Sequence, residues 1–154
     1  MTVKMHENTR FLRAVLQQDW DTYDALVGEF EQQNKGTPVA IIASAFSLAV
    51  EKRFGRTKDV GEIIRFVADA RAALAEGRAL PAAEAEALIF ATLDMDEPGV
   101  ADTVERLDIG TIAEIEGQLL FKLVADDGMS ESELDAFLRE AENHLERWQS
   151  TSGG

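Results

Sequence analysis

The twelve residues from Val39 to Val50, VAIIASAFSLAV, carry no charge and only two polar side chains, the hydroxyls of Ser44 and Ser47. A helix that is apolar on every side belongs in a protein interior. The run is too short for a bilayer, which takes roughly 20 residues. Thr37 and Pro38 offer a cap and a first-turn proline, and Gly55 offers a stop. The organising element is therefore expected from Pro38 to Phe54, with the rest of the chain packed around it. Such a helix needs neighbours with one apolar stripe each.

The flanking sequence supplies them. Phe11, Leu12, Val15 and Leu16 follow helical spacing after a cap at Asn8 or Thr9, in a helix short enough to be mobile. A second helix opens at Asp19 or Asp21 and carries Trp20, Tyr23, Leu26, Val27 and Phe30 inward. Gly28 lies inside that pattern, where an interior glycine costs about 1 kcal/mol relative to alanine, so it marks either a close backbone approach or a neutral choice of residue. Asp59 and Glu62 form a capping-box pattern ahead of the stripe Val60, Ile63, Ile64, Val67, Ala70 and Leu74. Pro81 opens a helix with Ala85, Leu88, Ile89 and Leu93 inward, and a short helix follows with Val104 and Leu107 inward. Thr111 and Glu114 read as a second capping box, leading a strongly apolar helix that should lie beside the central one. Ser130 and Glu133 read as a third, before the most regular stripe of all: Leu134, Phe137, Leu138, Ala141, Leu145 and Trp148.

All three prolines fall where a helix would begin, and no segment alternates with the period of a strand. The expected fold is all-α: one compact domain of about seven helices over residues 1–149, with a disordered tail at 150–154. No repeat of 34 or 40 residues suggests a solenoid. Cysteine is absent, which removes disulfides, thiolate zinc sites and a cysteine nucleophile together. The first ten residues lack the apolar run of a secretory signal, so a cytoplasmic location is expected.

Charge divides the chain. Residues 1–77 hold 11 acidic and 10 basic side chains, net −1, while residues 78–154 hold 18 acidic and 5 basic, net −13. An acidic half argues against neutralising nucleic-acid phosphates and fits a basic protein partner. The basic residues Lys52, Arg53, Arg56 and Lys58 gather at the end of the central helix, where cations suit the helix dipole, with an anion-binding role as the lesser alternative since no Gly-rich phosphate loop accompanies them.

Motifs for chemistry are sparse. His6 and His144 have no ligand-spaced partner on their own helices. The acidic turn at Asp126 and Asp127 fails as a calcium loop: with Gly128 at loop position six, Leu123, Ala125 and Leu134 occupy ligand positions. Asp94, Asp96 and Glu97 are the denser acidic turn, able to take a divalent cation given further ligands. Among carboxylates, Glu116 and Asp102 stand closest to apolar positions, where burial would raise a pKa.

The expected function is a non-enzymatic interaction domain of adaptor, small-chaperone, antitoxin or immunity type. It would dock a basic protein through Glu131, Asp135, Glu142 and Glu146, with Trp148 or Trp20 as apolar anchor, and needs no cofactor and no membrane. Self-association is a related route, with Arg139 and Arg147 meeting Glu140 or Glu146 across two copies of the last helix. The alternative is a helical-bundle enzyme or ligand-binder with a cation at Asp94, Asp96 and Glu97.

Overall fold

Helix starts follow the capping chemistry of the sequence. A computed structural model describes residues 10–17, 19–32, 39–73 and 80–153, and every element among them is a helix. In chain order these are α1 (residues 10–16), α2 (Trp20–Gln32), α3 (Val39–Phe54), α4 (Val60–Ala73), α5 (Ala82–Thr92), α6 (Val100–Glu105), α7 (Ile109–Asp127) and α8 (Glu131–Gly153). Asp19 caps α2, its carboxylate accepting from the Thr22 amide at 3.3 Å and hydroxyl at 2.7 Å. Asp59 caps α4 by accepting from the Glu62 amide at 3.2 Å, but the Glu62 carboxylate turns to the Thr57 hydroxyl instead of closing the box. The box at α8 closes in both directions: the Ser130 amide donates to Glu133 Oε1 at 2.9 Å and the Glu133 amide to Ser130 Oγ at 3.2 Å.

One boundary differs from expectation. Helix α7 is capped by Asp108, whose carboxylate accepts from the Thr111 amide at 2.7 Å, so Thr111 is the third residue of the helix and not its cap. The aspartate three residues upstream is the stronger acceptor, and these amide bonds hold its carboxyl below the usual value.

At the centre of the packing α3 is joined by two further helices. Helices α3, α5 and α7 all touch one another; α8 lies on α3, α6 on α5, and α4 against both α5 and α7. The closest pairing is α3 with α7, as their apolar sequences require. Ile41, Ile42, Ala45, Phe46, Ala49, Val50 and Phe54 of α3 are buried, but Ala40 is exposed and Ala43, Ser47 and Leu48 are half-buried. The helix thus has a wet edge, cheap because alanine and serine expose little apolar area. Ser44 is fully buried and donates its hydroxyl to the Ala141 carbonyl of α8 at 2.7 Å. That bond meets the cost of its burial and ties α3 to α8. At the far end of α3, Phe54 meets Phe66 of α4 edge-on, with ring centroids 5.5 Å apart.

Helix α1 is part of the core. Phe11, Leu12, Ala14, Val15 and Leu16 are all buried, Phe11 lies 5.1 Å from the Tyr23 ring, and a Cβ added at Gly117 of α7 would meet Val15 at 3.5 Å. Its length alone suggested mobility; five buried side chains in seven residues outweigh that. The expected caps Asn8 and Thr9, and Leu74 at the end of the α4 stripe, lie outside the described residues. Ile64 was expected inward and is 44% exposed, since Ile63, Phe66, Val67 and Ala70 fill the arc of α4 that faces α5 and α7. The chain from residue 150, expected to be disordered, continues α8 to Gly153.

Of the two readings of Gly28, the close backbone approach is absent. A Cβ built there meets nothing within 4 Å among the described residues. Gly28→Ala should therefore raise stability by up to about 1 kcal/mol, through helix propensity and a less flexible unfolded chain. Urea denaturation measures this, and any loss of stability would show that the glycine is needed.

Candidate functional site

The acidic face of α8 is partly occupied by the chain itself. At about 100° per residue, Glu131, Asp135 and Glu142 project within an arc of about 40°. Arg13 of α1 reaches into that arc, its Nη1 standing 3.5 Å from Glu131 Oε2 and its Nη2 bonded to Asp135 Oδ1. Glu142, expected outward, is only 3% exposed. Its position explains this: it lies one turn after Leu138 and one before Leu145, at the border of the buried stripe. Of the expected docking residues only Glu146 stands exposed with no ion pair among the described residues, and the side chains of Trp148 and Trp20 lie outside the described set.

A second acidic region is more open. From the end of α5 through α6 to the start of α7, Asp94, Asp96, Asp102, Glu105 and Asp108 are exposed and Glu97 is half-buried. The one cation in this stretch, Arg106, folds back to donate to the Asp102 carbonyl at 3.2 Å. Next to Asp108 stands Ile109, 68% exposed and the most exposed large apolar side chain among the described residues. The signal in the sequence was its place ahead of the α7 stripe, at the first helical position, where it has no preceding turn to pack on. Asp94, Asp96 and Glu97 do not converge: among the described residues no three histidine or acidic side chains come together as a metal site.

The basic cluster sits opposite the C-terminal turn of α7. Lys52 Nζ donates to Asp127 Oδ2 at 3.0 Å, Arg53 Nη1 stands 3.5 Å from Asp126 Oδ2, and Lys122 Nζ donates to Asp126 Oδ1 at 2.6 Å. These cations offset two carboxylates placed at the negative end of a helix dipole. Arg53 also lies over the rings of Phe54 and Phe66, 5.5 and 5.4 Å from their centroids. Between α3, α7 and the start of α8 there is a cavity of about 170 Å³, lined by Ala49, Leu123, Val124, Met129 and Phe137 together with Lys52, Arg53 and Asp127.

Two further groups have perturbed chemistry. Glu116 is 8% exposed, a turn before Leu119 and Leu120 on the most buried side of α7, and desolvation pushes its carboxyl up to about 7. A carboxyl of that kind can exchange a proton near neutral pH, but Glu116 does not line the cavity. Asp102, the other carboxylate near apolar positions, is exposed. His144 was expected on the outer face and is half-buried; burial and the nearby Arg147 hold its imidazole below the usual value, against the opposing charge of Glu140.

No protein-family model matches the chain, and no curated protein or solved structure is significantly similar to it. Among the described residues no helix is long and apolar enough to cross a membrane.

Proposed function

We propose that the protein is a non-enzymatic interaction domain that docks a basic protein partner through its acidic C-terminal half, as a cytoplasmic adaptor, small chaperone, antitoxin or immunity protein would. The observation that carries this reading is an exposed isoleucine within a stretch of exposed carboxylates. Ile109 borders Asp108 and follows α6, which presents Asp102 and Glu105. Complementary charge speeds encounter and rejects acidic competitors, while an apolar anchor at the centre supplies the slow dissociation. The contact therefore moves from the Glu131, Asp135 and Glu142 side of α8, part of which Arg13 already engages, to the corner of α6 and α7.

The test is affinity capture from the native host at low and high salt, with Asp102→Lys/Glu105→Lys, Ile109→Ser and Glu140→Lys/Glu146→Lys variants. Asp108 is left intact because it caps α7. A basic protein should be retained at low salt and released at high salt, since screening shortens to about 3 Å at 1 M. Retention should fall at least about tenfold for the α6 double variant and for Ile109→Ser. Undiminished capture by both would overturn the placement, and retention insensitive to salt would overturn the electrostatic reading.

A further inference from the structure

We propose that the cavity between α3, α7 and α8 binds a small amphipathic carboxylate, with its apolar tail inside and its charge at Lys52 and Arg53. The inference is independent of the acidic docking surface, which lies on α6 and the opposite end of α7. Five of the eight lining residues, Ala49, Leu123, Val124, Met129 and Phe137, are apolar. An apolar cavity of about 150 Å³ accommodates a benzene ring, so about 170 Å³ takes a ring or a chain of five or six carbons. Pockets for drug-sized molecules begin at about 300 Å³, which rules against a nucleotide.

Charge selects the head group. The wall carries two cations, Lys52 and Arg53, against one carboxylate, Asp127. Beyond the wall, Arg56 and Lys58 are exposed just past the end of α3, while Asp126 stands beside Arg53 and Glu133 within reach of the Lys52 charge. Both wall cations are available despite their partners. Asp126 is held at 2.6 Å by Lys122 and stands 3.5 Å from Arg53, which leaves guanidinium donors unused. The Lys52–Asp127 pair is about half exposed on each side, and such pairs hold their partners weakly enough for a ligand carboxylate to compete.

The probe is hexanoate, titrated into the full chain and followed through the methyl NMR signals of Leu123, Val124 and Met129, with acetate and hexylammonium as controls. Saturable shifts confined to these methyls are expected, with a dissociation constant of about millimolar order for so few atoms. Lys52→Met should weaken hexanoate about tenfold and Asp127→Asn should tighten it about threefold, because one removes the attracting charge and the other the repelling one. Lys52 is exposed, so its loss leaves the core intact, and a thermal melt confirms the fold of each variant. Acetate should bind more weakly for want of a tail. Hexylammonium binding as tightly as hexanoate, shifts scattered over the surface, or equal affinity in Lys52→Met and Asp127→Asn would each overturn the proposal.

Discussion

The Glu116→Gln variant should match the parent protein near pH 4.5 and exceed its stability by about 3 kcal/mol at pH 8. In the folded chain desolvation pushes the Glu116 carboxyl from 4.5 up to about 7, with no ion pair among the described residues to offset it. Between these values the folded state keeps the proton and the unfolded state has released it. Folding then takes up a proton, so stability falls as pH rises from 4.5 and levels off above 7. Glutamine has nearly the same shape and no charge, so it removes the pH-dependent part and leaves the packing. For a chain of this size about 3 kcal/mol corresponds to roughly 6–12 °C in melting temperature. Urea denaturation of both proteins at pH 4.5, 6, 7 and 8 measures the difference, in which the titration of His144, Asp108 and Glu133 cancels. A difference constant across that range would mean that Glu116 is hydrated in the folded state.

Phe46→Ala should cost about 3–5 kcal/mol at any pH, the usual loss for a fully buried phenylalanine. Phe46 has no exposed surface and sits on α3, whose neighbours include α5, α7 and α8. Removing the ring takes away its transfer free energy and leaves a void that three helices cannot all collapse into. The midpoint of denaturation should fall with little change in its slope, since the surface exposed on unfolding is nearly the same. A loss below about 1 kcal/mol would mean that α3 is not the core element its burial indicates. The two variants together separate the apolar core from a carboxyl set within it.

Local chemistry was legible in the sequence at the starts of α2, α4 and α8, because a cap is decided by residues three positions apart. Asp19, Asp59 and Ser130 act where short-range reading places them, and the exception, Asp108 in place of Thr111, is a contest between two caps separated by three residues. The partnership of α3 with α7 was equally legible, since two strongly apolar helices in a small chain must cover each other. Glu116 could be singled out because it stands one turn from Leu119 and Leu120.

The candidate sites were less legible, because each depends on which neighbour covers which side of a helix. Periodicity gives the direction of an apolar stripe, but the facing element sets its width. Ile64 falls outside the covered arc of α4 and Glu142 falls inside that of α8, against what their side chains suggest. Arg13 meets Asp135 across 122 positions of sequence, and Lys52 meets Asp127 across 75; no local pattern encodes either pair. By itself the sequence determined the helices, the caps of α2, α4 and α8 and the uneven charge, all properties of short-range spacing and composition. Only the tertiary structure decided that α1 engages the acids of α8, that Ile109 is left bare and that a cavity opens beside Lys52. Burial and ion pairing are properties of two surfaces brought together, and the choice of surfaces is made by the whole chain.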